Sequence, residues 1–152
     1  MQLSGILLDV KVRSFYSVVV EVDHLTVPVS DYDASKRFYA RALQPLGYEI
    51  LMDWPDARRV YLGSPLRPSS LWITVSDAAG ALEVALVAEG PDSVDAFHAA
   101  ALAAGGRSAG EPGIRVEHSR DYYAARVRDP DGNAIEAVYR GEAAAASLSA
   151  AA

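Results

Sequence analysis

The chain has 152 residues, about one domain's worth, enough to bury roughly 70% of the surface its unfolded form exposes. With 51% hydrophobic and 22% charged residues it falls outside the disordered, collagenous and disulfide-scaffold classes. A formal net charge of −6 argues against a nucleic-acid binder, and the absence of cysteine removes disulfides, thiolate nucleophiles, iron–sulfur clusters and thiolate zinc sites.

The first residues contain apolar stretches, but Asp9, Lys11 and Arg13 interrupt them before a leader or a membrane span can form. The expectation is a soluble, cytoplasmic protein. Residues 1–17 are read as an N-terminal extension, with an additional strand at 6–12 as one alternative. Residues 18–29 are rich in β-branched side chains and read as a strand ending near Pro28. From Asp31 the period changes to helical: Ala34, Phe38, Ala42 and Leu46 share a face, Ser30 or Asp31 caps it, and Gly47 stops it. Strands are predicted at 48–52, 59–62 and 71–75.

The pattern then starts again, with a strand at 83–88, a helix opened by Pro91-Asp92-Ser93 and running over 94–104, and Gly105-Gly106 at its end. Strands at 113–117, 122–128 and 134–139 follow, the last two joined by the turn Asp129-Pro130-Asp131-Gly132-Asn133. Residues 141–152 form an Ala-rich tail. Gly106-Arg107-Ser108-Ala109-Gly110 has the spacing of a nucleophile elbow, but it follows a helix and not a strand, so a serine hydrolase is rejected.

Sliding the chain against itself by 59 residues lays 24–47 on 83–106 with six identities, among them Phe38/Phe97, Leu43/Leu102 and Gly47/Gly106. The chain therefore reads as two βαβββ modules, 18–77 and 78–140, an α+β fold with a curved mixed sheet around a cavity. Glu83 takes the place of His24, and matching the last strands puts Trp72 in the place of Glu136. If the two modules face one another across one sheet, these four positions converge on one cavity.

This doubled unit resembles the vicinal oxygen chelate superfamily, which includes glyoxalase I, ring-cleaving catechol dioxygenases, fosfomycin-resistance enzymes and metal-free bleomycin-binding proteins. The resemblance rests on Val22-Asp23-His24-Leu25-Thr26-Val27 with Phe38-Tyr39, on Val94-Asp95-Ala96-Phe97-His98 before Gly105-Gly106, and on Tyr122-Tyr123 leading to the 129–133 turn and Ala134-Ile135-Glu136-Ala137-Val138. It implies metal ligands at His24 and Glu136. Glu83 stands where a second His is usual, and Trp72 stands where glyoxalase-type members often carry another carboxylate.

One imidazole with two carboxylates can hold a dication. Because the carboxylates cancel its charge, such a site prefers Mn²⁺ or Mg²⁺ over Zn²⁺, Ni²⁺ or Fe²⁺. The five-residue turn puts Arg126 across from Glu136, where its guanidinium can replace a metal or can lie exposed. Arg115 can meet an anionic group, and His118 and Tyr123 can donate hydrogen bonds near the same mouth. His98 reads as helix surface or dimer contact, and Trp54 and Trp72 as cavity walls.

Two functions follow. In the first, a metal on His24, Glu83 and Glu136 activates a small substrate with adjacent oxygens, with Glu136 or Glu83 as the base of a lyase or isomerase. In the second, a metal-free binding module holds a small molecule at a dimer cleft lined by Trp72, Tyr123 and Arg115. A homodimer is expected in either case.

Overall fold

The computed structural model describes residues 22–141. The 1–17 extension, the start of the first expected strand and all but the first residue of the Ala-rich tail lie outside the described residues. The first unit contains β1 (His24–Val29), α1 (Tyr32–Ala42), β2 (Glu49–Trp54), β3 (Arg59–Ser64) and β4 (Arg67–Val75). The second contains β5 (Glu83–Val87), α2 (Pro91–Ala103), β6 (Arg107–Ile114), β7 (Tyr122–Arg128) and β8 (Ala134–Arg140).

Each unit makes an open four-stranded mixed sheet, ordered β1-β4-β3-β2 and β5-β8-β7-β6, so the fold is α+β with the expected tandem arrangement. The pairing registers repeat as well. In the parallel pairs β1/β4 and β5/β8, His24 lies beside Ser70 as Glu83 lies beside Ala134, and Thr26 lies beside Trp72 as Ala85 lies beside Glu136. His24 with Glu83, and Trp72 with Glu136, are therefore equivalent positions.

Asp31, with extended backbone, caps α1 by accepting the Ala34 N–H at 2.9 Å. The α-helix stops at Ala42: Pro45 has no N–H to donate to the Arg41 carbonyl, so the i→i−4 ladder cannot continue. Leu46, expected on the helix face, packs into the core from a 3₁₀ turn at Gln44–Leu46, which Gly47 closes with φ +80°. In the second unit the left-handed position falls to Gly105 (φ +100°). Gly106 is needed for another reason: a Cβ there would lie 2.8 Å from Phe38 Cε2 and 2.9 Å from the Ala101 carbonyl oxygen.

The strand expected at 113–117 runs instead from Arg107 to Ile114. Gly110, Pro112 and Gly113 read as loop residues, but β6 is an edge strand, where a missing N–H and register shifts are tolerated. Ser108 lies in β6, not on a strand-to-helix elbow, and its hydroxyl bonds His98 Nε2 at 2.9 Å and donates to Glu111 Oε1 at 2.8 Å. His98 is therefore buried, 5% exposed, and not the helix-surface residue its sequence context suggests.

Both units share one core, in which Val27, Phe38, Leu62 and Ile73 pack with Val94, Phe97, Val127 and Ile135. The 129–133 turn locks the units together. The Asp129 carboxylate accepts bonds from Tyr39 Oη and from the Asn133 backbone and side chain. Asn133 also donates to the Pro28 carbonyl at 2.9 Å and accepts the Leu82 N–H at 3.0 Å. Asp131 accepts the Ser30 N–H at 3.0 Å. The core occupies one side of each sheet; on the far side of the second sheet Tyr122, Ala124 and Val138 form a small separate buried cluster.

Candidate functional site

On the first sheet, strand alternation turns Val27 and Val29 into the core and leaves His24 and Thr26 outside. Register brings Trp72 of β4 beside Thr26 on one side and Tyr61 of β3 on the other. An aromatic cluster results. The Trp54 and Trp72 rings stack with centroids 5.4 Å apart at 18°, Tyr61 tilts onto Trp72 at 4.7 Å, and His24 meets it edge-on at 6.4 Å. The Arg59 guanidinium stands 5.2 Å from the Trp72 ring centre. His24, Thr26, Arg59, Trp72 and Thr74 line a hollow of about 290 Å³. Next to it, β2 exposes Ile50, Leu51, Met52 and Trp54. His24 Nδ1 bonds the Asp23 carboxylate at 2.7 Å.

On the second sheet, Arg126 lies directly opposite Glu136, as the turn length predicts. Their side chains nevertheless take other partners. Arg126 Nη2 forms an ion pair with Glu83, and Glu136 Oε1 accepts the Tyr122 hydroxyl at 2.9 Å. Burial, and then the Glu136 bond and charge, push the Tyr122 phenol above its ordinary pKa. Arg115 follows β6 and donates to the Glu111 carbonyl at 2.6 Å, and the His118 ring lies 4.8 Å from that of Tyr122. Arg115, Glu117, His118, Arg126 and Glu136 line a second hollow, also about 290 Å³, with a predominantly polar wall.

Tyr123 does not join this group. Successive strand residues face opposite ways, and its hydroxyl bonds Asp95 of α2 at 2.8 Å, on the helix side of the sheet. Tyr122 is the tyrosine that faces Arg126 and Glu136. Parity alone gives that difference, since 122 and 126, the partner of Glu136, fall on one side of β7 and 123 on the other. Arg59 and Tyr61 were also missed. They share the parity of Trp72 across the β3/β4 pair, so the same rule applied to that hairpin finds them.

One chain alone does not bring His24 to Glu83 and Glu136. His24 stands on the first sheet and the two glutamates on the second, His24 and Glu136 line different hollows, and no group of three or more His, Asp or Glu fit to hold a metal ion occurs among the described residues. Nor do the two carboxylates of the second face fit a dication by themselves. The fixed positive charge of Arg126 lies beside both, paired with one and across the ladder from the other.

Two repeated βαβββ units, each with a four-stranded mixed sheet, define a class of small α+β proteins. The chain belongs to the Glyoxalase/Bleomycin resistance protein/Dioxygenase superfamily, whose sequence model matches residues 21–137. A glyoxalase/bleomycin resistance protein from Albidiferax ferrireducens T118 is 33% identical, covering 78% of this chain and 98% of its own, with a TM-score of 0.67. TnmS3, an antibiotic binding protein from Streptomyces sp. CB03234, is 25% identical over 82% of this chain and 98% of its own, with a TM-score of 0.61. A second glyoxalase/bleomycin resistance protein from that organism is also 25% identical over 78% of this chain and 99% of its own, with a TM-score of 0.59. No protein of curated function matches the chain. No helix among the described residues is long and apolar enough to cross a membrane.

Proposed function

We propose that the protein binds a flat aromatic small molecule against the Trp54–Trp72 face without a metal, and that a second copy of the chain covers that face with its own second sheet. The aromatic cluster carries this reading. Trp72 and His24 line an open hollow together with Arg59, and Trp54 and Tyr61 pack against Trp72 behind them, so aromatic surface stays open where an unliganded protein would gain more by burying it. Met52 and Trp54 of β2, paired with Tyr61 and Arg59 on this face, extend the same patch, as expected of a face covered by a partner or a ligand. The antibiotic-binding relative supports a binding role for this architecture.

A homodimer of this kind places Trp72 of one copy against Arg115, His118 and Arg126 of the other, so both faces contribute to one cavity. Trp72 supplies the stacking platform, and the second face supplies hydrogen bonds and charge.

One observation favours a metal-dependent lyase or isomerase as the second reading. Asp23 accepts a hydrogen bond from Nδ1–H of His24, and with the proton held on Nδ1 the neutral ring offers its Nε2 lone pair, the tautomer of a metal-ligating imidazole. Glu83 and Glu136 of a second copy would have to complete that donor set, for Mn²⁺ or Mg²⁺, and Arg126 would have to withdraw.

The chain's two tryptophans both lie on the aromatic face, so intrinsic fluorescence reports on it alone. Saturable quenching by 2-naphthamide, lost in Trp72→Ala, together with a dimer in sedimentation equilibrium, is the expected result. Stoichiometric Mn²⁺ or Mg²⁺ in protein purified without chelator, lost in Glu83→Ala, would establish the metal reading in its place.

A further inference from the structure

Resting on the binding function just proposed, we infer that the ligand carries a carboxylate and that Arg126 selects it by releasing Glu83 and taking the ligand's acid in its stead. Arg126 is held in mid-strand on β7 with its side chain two-thirds buried, while its partner Glu83 is 68% exposed. The two ends of this ion pair are therefore unequal. Glu83 can return to water at almost no cost, and a pair so open on one side contributes little to stability. Arg126, anchored in mid-strand with two-thirds of its side chain covered, stays at the wall of the hollow and gains from an anion there.

Its demand is also incompletely met. Nε of Arg126 is buried and has no acceptor among the described residues. Glu136, its cross-strand neighbour, turns its Oε1 to Tyr122. A guanidinium binds a carboxylate best as a two-pronged fork, and an exposed glutamate held through Nη2 occupies part of that capacity.

Glu83 thus serves as a resident stand-in for an external carboxylate of the same charge and shape. The hollow beside Arg126 has room for one; Arg115 and His118 on its wall add a cation and a hydrogen-bond donor against the carboxylates of Glu117 and Glu136, the latter already accepting from Tyr122. In the proposed dimer the aromatic part of such a ligand meets the stacked face on the first sheet of the other copy. Arg126 is accordingly a specificity-determining residue, separating acids from neutral aromatics of equal size.

The test compares 2-naphthoate with 2-naphthamide, read by tryptophan quenching on wild type, Glu83→Gln and Arg126→Gln. Wild type is expected to bind the acid about tenfold more tightly than the amide, equal to one charge-assisted contact. Arg126→Gln should abolish this preference, so that acid and amide bind with the same affinity. Glu83→Gln, an exposed substitution that does not endanger folding, should tighten naphthoate several-fold because the competing carboxylate is gone. Equal affinity for acid and amide in wild type, or naphthoate affinity unmoved in Glu83→Gln, overturns this inference and leaves the aromatic-binding function standing. Absence of quenching by both probes overturns the two together.

Discussion

Tyr39 of α1 and Asp129 of the β7–β8 turn meet across the joint between the two units, hydroxyl to carboxylate at 2.7 Å, and both are closed to solvent. Burial first, and then the charge of Asp129, hold this phenol well above its ordinary pKa of 10.0. In the unfolded chain the proton leaves near pH 10, and in the folded chain it leaves only at higher pH. The stabilisation is therefore complete below pH 10 and declines as pH rises through the folded value. Tyr39→Phe is expected to cost about 1–3 kcal/mol at neutral pH. It should also flatten the alkaline loss of stability in urea titrations, though not remove it, since Tyr32, Tyr48, Tyr122 and Tyr123 shift in the same direction.

Asn133 is fully buried and joins three segments through Pro28, Leu82 and Asp129. Asn133→Ala leaves a carbonyl, an N–H and part of a carboxylate without partners, at a cost of about 3 kcal/mol. Urea unfolding should show a lowered midpoint with an unchanged slope, because the joint weakens while the exposed surface stays the same. A second, separate transition would mean that the units unfold independently.

Gly47 and Gly106 are identical by repeat but required for different reasons. Gly47→Ala strains a left-handed residue, at about 1 kcal/mol. Gly106→Ala forces a methyl against Phe38 and against the carbonyl oxygens of Ala101 and Arg128, which cannot turn aside, at about 1–3 kcal/mol. Melting curves of the two variants are expected to rank Gly106→Ala as the more damaging.

Asp53 fastens the edge strand β2 to α1 by accepting from Lys36 and Tyr32. The Lys36 hydrogen bond, followed by that of Tyr32, holds its carboxyl below the ordinary 3.8. Its contribution is thus present above pH 3.8 and is lost as pH falls through the lower folded value. Melting temperatures measured between about pH 2 and 5 should fall less steeply for Asp53→Asn than for wild type.

Much of this protein follows from its one-dimensional pattern. Hydrophobic period, the Asp31 cap and the duplicated Phe and Gly positions were enough for two βαβββ units, and turn length alone placed Arg126 opposite Glu136. These features are local, governed by backbone geometry within a few residues or across one hairpin. Parity within β7 also contained the choice of Tyr122 over Tyr123, although the motif pair by itself did not reveal it.

What the tertiary structure decided is which charged ends meet. Glu83 and Arg126 lie far apart in the chain, and β8 separates their strands, so no hairpin rule links them. Long flexible side chains choose among several neighbours once the sheet is assembled, and Arg126 takes the exposed carboxylate of Glu83 while Tyr122 takes Glu136. The same holds for the separation of His24 from the two glutamates. Spacing fixes where each stands on its own strand, but the packing of both sheets against a shared core sets which way each open face looks.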